Sequence, residues 1–198
     1  MTSMGNFTAF IGQRRLASGP LADVARAIRK NTKPSAQQPI LIFDDQSGRS
    51  IDIDLRGTDE EILARLPPST TATEPPVSEP RGRGRPKLGV VAREVTLLPR
   101  HWDWLASQPG GASVALRKLV EEARRANGDR DRHRAARDAA YHFMSAIAGN
   151  FNGFEEASRA LFADDRRRFG ELIAAWPDDI RDHIVSLAFN DRSDPPRD

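Results

Sequence analysis

Cysteine is absent from all 198 residues, and tyrosine occurs once. Without a thiol the chain has no disulfide, no thiolate zinc site and no cysteine nucleophile. No apolar run approaches membrane-spanning length, and MTSMGNFTAFIG lacks the basic stretch and long apolar core of an export signal. A cytoplasmic location with no membrane partner is therefore expected. Also missing are the Gly-Lys-Ser/Thr phosphate loop, GxSxG, HExxH and calcium-loop spacing. Four histidines are present: His101, His133, His142 and His183. Asp138 and His142, and Asp179 and His183, stand four apart, but a metal site needs three or more converging ligands. We read these as helix-surface ion pairs, and Asp44, Asp45, Asp52 and Asp54 as the solvated face of strands. The expectation is a non-enzyme with no cofactor and no metal.

What is present is an uneven distribution of charge. The net formal charge is only +2, yet residues 1–80 balance at −1, residues 81–137 at +8 and residues 138–198 at −5. A basic centre between acidic flanks suits a polyanion for that centre alone, or an acidic protein surface, the chain's own tail included.

Periodicity divides the chain further and predicts an α+β protein. Residues 1–66 read as a small β-α-β-β-α domain: strand FTAFI, helix LADVARAIRKN, strands PILIFDD and SIDIDL as a hairpin with one wet face, and a helix opened by the capping box of Thr58 and Glu61. Residues 67–89 are a Pro-rich, then basic, stretch with too little apolar surface to repay its ordering entropy, so a disordered linker is expected there. Residues 90–127 read as a strand VVAREVTLL, a short helix after Pro99 with Trp102 and Leu105 in its core, a Gly-Gly turn, and a second helix capped by Ser113. Residues 128–191 read as a helical bundle with stripes at Ala136–Ile147, Phe154–Phe162, Phe169–Trp176 and Ile180–Leu187. The 90–127 segment holds too little apolar area to stand alone, and a homodimer is expected through it.

Three resemblances attach to these residues. Arg83-Gly84-Arg85-Pro86, within RGRGRPK, resembles the core of the AT-hook, over about seven residues. Glycines let the backbone press close to a groove while Arg81, Arg83, Arg85 and Lys87 spread along it, which implies contact with A·T-rich DNA. REVTLLPRHWDWLASQPGGASVALRKLVEEARR resembles the ribbon-helix-helix fold, in which strands of two chains pair and enter the major groove. That implies base contact from Thr96, from Arg93 in the alternative strand register, and phosphate binding at the helix end bearing Ser113. Arginine, lysine, asparagine or glutamine usually occupy those strand positions, so Glu94, Thr96 and Leu98 depart from the pattern. Across most of its length, through LIFDDQSGRSIDIDLRG, GRPKLGVVAREVTLLPRHWDWLASQPGGAS, YHFMSAIAG and LFADDRRRFGELIAAWPDDIRDHI, the chain is similar to an uncharacterised bacterial family, a resemblance that implies no activity. The expected function is DNA binding of a transcription-regulator kind, the alternative a protein-interaction adaptor without nucleic acid. In either case the terminal domains are left to meet a protein or a ligand.

Overall fold

The computed structural model describes residues 6–31, 39–66, 91 and 93–189. It is an α+β fold with four strands and seven helices among those residues: β1 (Phe7–Ile11), β2 (Arg14–Gly19), α1 (Leu21–Asn31), β3 (Ile40–Asp44), β4 (Ser50–Ile51), α2 (Asp59–Arg65), α3 (Pro99–Ala106), α4 (Gly111–Ile147), α5 (Phe154–Phe162), α6 (Arg166–Ile173) and α7 (Asp178–Phe189). The chain divides into two compact units, one formed by 1–72 with 131–198, the other by 73–130.

In the first unit the strands form an antiparallel sheet in the order β2-β1-β3-β4. Strand alternation sends successive side chains to opposite faces. Ala9 and Ile42 pack with Leu21, Val24 and Ile28 of α1 on one face. Phe10 and Phe43 on the other enter a larger core with Phe143 of α4, Leu161 of α5, Phe169 and Ile173 of α6, and Ile180 and Ile184 of α7. The ring centroids of Phe43 and Phe143 lie 4.7 Å apart at 75°, edge to face. Each fully buried phenylalanine contributes about 1.5–3 kcal/mol by leaving water. The N-terminal strands and C-terminal helices, expected as separate domains, thus share one core.

Several boundaries differ from expectation. β2 went unpredicted because RRLASG has no apolar alternation; its backbone pairing and the two-residue turn with Gly12 at φ +57° make the strand. SIDIDL contributes only Ser50 and Ile51 to the sheet, opposite Phe43 and Ile42. The chain then leaves the sheet, and Asp54 pairs with Arg65 at 3.2 Å. The capping box of α2 is present as read, Thr58 accepting from the Glu61 amide and Glu61 accepting from that of Thr58. The helices expected on either side of residue 127 are one 37-residue helix, α4, which also runs through the domain boundary placed there. Asn127-Gly128 costs such a helix only on the order of 1 kcal/mol beyond good helix formers. Pairs such as Arg134–Asp131 at 2.7 Å support it.

Candidate nucleic-acid interface

The second unit begins, for the described residues, with an irregular segment rather than a strand. Residues 93–98 have no ladder partner, and Arg93, Glu94, Val95, Thr96 and Leu98 are exposed. Neither strand register therefore buries its apolar set within this chain. Pro99 opens α3 with Leu98 as N-cap, as a fixed φ and a missing N–H favour. Ser107 closes α3, its hydroxyl donating to the Trp104 carbonyl at 2.8 Å. Gly110 and Gly111, at φ +86° and +75°, then reverse the chain into α4, a conformation that costs glycine no Cβ clash. Ser113 is not the expected cap. It lies inside α4, exposed, and its carbonyl accepts from Nε of Arg117 at 3.1 Å.

This unit buries little of its apolar surface. Among the described residues 91–130 the buried hydrophobic side chains are Leu105 and Ala115. Trp102, expected in the core of α3, is 40% exposed, Trp104 51%, Val95 52% and Val120 64%. Helical spacing explains the contrast: Leu116, Leu119, Val120 and Ala123 form one stripe of α4, and Leu119 and Val120 on it stay exposed among the described residues.

A neighbouring stripe of α4 is charged. Arg117, Glu121, Arg124 and Arg125, at i, i+4, i+7 and i+8, share a face, with Lys118 beside them. They border a shallow depression that Val114 and Glu122 also line. The hydrogen bond from Arg124, then its charge, and after these Arg125, hold the Glu121 carboxyl below its ordinary range.

Arg81, Arg83, Arg85 and Lys87, the residues of the expected arm, lie outside the described residues. Of the other candidates, Arg93 and Thr96 sit on the irregular segment before α3 and Ser113 in the first turn of α4.

The first unit holds a polar cluster that sequence reading missed. Thr8 on β1 is fully buried, and its hydroxyl donates to Oδ2 of Asp45 at 3.0 Å. Its oxygen is then left to accept from the Ser18 hydroxyl, 2.6 Å away. Oδ1 of Asp45 lies 3.5 Å from Nε2 of His183, a side chain 4% exposed between Phe10 and Phe143. Burial, and secondarily the nearby Arg15, push the His183 imidazole from 6.5 down to about 4, so it is neutral at neutral pH. The expected surface pair of Asp179 and His183 does not form: Asp179 instead accepts from the Arg15 amide at 2.8 Å. His142 likewise turns from Asp138 to the β3–β4 turn, where Nε2 is 3.3 Å from the Arg49 guanidinium and Nδ1 is 3.0 Å from the Ser47 carbonyl. Arginine only donates, so Nε2 accepts and Nδ1 carries the proton. Of the four acidic residues read as solvated, Asp52 and Asp54 are exposed and Asp44 is partly buried, while Asp45, its side chain 15% exposed, is the one that meets His183. Nothing in its local sequence marks it.

Among the described residues, no group of three or more histidines or carboxylates is placed to hold a metal ion, and no helix is long and apolar enough to cross a membrane. The molecule is thus a mixed α+β protein in which a sheet-and-helix unit adjoins, in sequence, a short basic helical unit. Residues 6–188 match a family described as uncharacterised proteins conserved in bacteria, DUF2239, and the chain belongs to that family. No curated protein and no solved structure matches it.

Proposed function

We propose that the protein binds duplex DNA as a homodimer through its second unit, whose arginine-glycine stretch, residues 81–87, serves as an arm along the duplex. The observation that carries this reading is the surface of that unit, where uncovered apolar side chains coincide with the basic centre of the sequence. An apolar stripe on α4, together with exposed Val95 and Leu98, suits pairing with a second copy, the arrangement of ribbon-helix-helix proteins. In this reading Thr96, or Arg93 in the alternative register, reaches base edges from the paired segments, and the first turn of α4, with Ser113, offers amide donors to a phosphate. Arg81, Arg83, Arg85 and Lys87 add phosphate and A·T-rich minor-groove contacts and carry much of the salt-sensitive affinity.

The test is binding of the whole chain to A·T-rich and mixed duplexes at several salt concentrations. Replacing Arg81, Arg83 and Arg85 with alanine is expected to reduce the slope of log K against log salt by about 2–3, near 0.9 per lost phosphate contact. An unchanged slope removes the arm from the interface. The exposed apolar side chains also favour a second reading, an adaptor that docks on another protein. Absence of any shift with duplex at low salt decides for that reading.

A further inference from the structure

Two guanidinium groups of α4 converge on a single oxygen. NH2 of Arg124 lies 3.3 Å, and Nε of Arg125 3.1 Å, from Oε1 of Glu121. All three side chains are on the solvent side of the helix, the arginines 76% and 77% exposed and the glutamate 41%. A second triplet, on α6, makes a useful contrast. Arg167 and Arg168 approach Glu171 through its two different oxygens, at 2.8 and 3.3 Å, in the acidic C-terminal part of the chain. In α4 the two cations instead share one acceptor, with Arg117 and Lys118 on the adjoining turn. Such a convergence is what a phosphate oxygen needs, and exposed ion pairs of this kind are weak enough to exchange partners.

We propose that Arg124 and Arg125 form a phosphate-binding pair for the nucleic-acid backbone, and that Glu121 occupies the phosphate's place in the free protein. On binding, the carboxylate gives up the two guanidinium groups to a phosphate oxygen, and its negative charge remains nearby as a brake on affinity. The contact is independent of base sequence, because it is made to the backbone. This inference rests on the DNA-binding reading above, but it concerns different residues from the arm and makes a prediction of opposite sign.

The experiment compares Glu121→Gln, Glu171→Gln and the double variant Arg124→Gln/Arg125→Gln, each in the full chain, against a mixed-sequence duplex over a salt series. Both glutamate variants change net charge equally, and glutamine keeps helix propensity close to that of the residues replaced, which circular dichroism checks. Glu121→Gln is expected to tighten binding by about threefold to tenfold at low salt, in line with loss of one nearby like charge, with Glu171→Gln near wild type. The double arginine variant is expected to lower the salt slope by about 2. Equal effects of the two glutamate variants, or an unaltered slope in the arginine variant, overturn the proposal and leave the arm's role standing. A wild-type chain that binds no duplex overturns both.

Discussion

His183 shows how far a residue's chemistry depends on what covers it. On an exposed helix it would titrate near its ordinary 6.5, but between Phe10 and Phe143 it is held at about 4. Because the folded value lies below the unfolded one, the folded state binds this proton more weakly. Its contribution to stability is complete above about pH 6.5 and is lost as pH falls from there towards 4. The loss is on the order of 3 kcal/mol at most, as 1.4 kcal/mol per unit implies. Urea denaturation of wild type and His183→Gln at pH 7, 5.5 and 4.5 reads this directly, with a shallower fall expected in the variant. Parallel curves would mean that other groups account for the acid sensitivity. Neither the burial of His183 nor its Asp45 neighbour was visible in the sequence, where Asp179 at i−4 was the obvious partner. Helical spacing reports what is near along one element, and Asp45 comes from another.

Elements with a strong internal pattern were the legible ones. α1, α5, α6 and α7 follow their apolar stripes, and α2 its capping box, because those signals act within a few residues of chain. β2 was not legible, since an edge strand is defined by a neighbour's backbone. The same holds for 93–98, read as a strand on apolar content but lacking a ladder partner in this chain. The β3–β4 turn is the sharpest case of an element set by contact. Gly48 sits at φ +66°, and a Cβ there would collide with the Ala139 carbonyl of α4, so the turn and the helix touch backbone to backbone. Gly48→Ala is expected to cost about 2–4 kcal/mol, from left-handed strain plus overpacking. Gly48→Asn separates the two causes. Asparagine tolerates the left-handed region, so comparable damage in a urea titration assigns the cost to the Ala139 contact, whereas near wild-type stability assigns it to φ.

At the scale of the molecule, the two units differ in how complete they are. The first covers both faces of its sheet, whereas the second leaves Val95, Trp104 and Val120 more than half exposed. In the proposed reading, a second copy covers these side chains, which belong to a unit of about forty described residues. A homodimer predicts a solution mass twice the chain's 22.0 kDa. Val120→Lys, on the stripe that would be covered, is expected to shift that mass to the monomer without changing the melting of the sheet-and-helix unit. A wild-type chain that sediments as a monomer at micromolar concentration removes strand pairing between copies and, with it, the major-groove contacts.

Local chemistry was enough to specify the α+β class, most helices, the capped entry to α2 and the concentration of positive charge at mid-chain. Those properties depend on residues within a turn or two of each other, or on composition alone. The joining of N-terminal strands and C-terminal helices in one core, the fusion of two expected helices into α4 and the burial of His183 beside Asp45 were decided only by the tertiary structure. They arise between residues far apart in sequence, where the free energy of excluding water from a shared interior outweighs local preference.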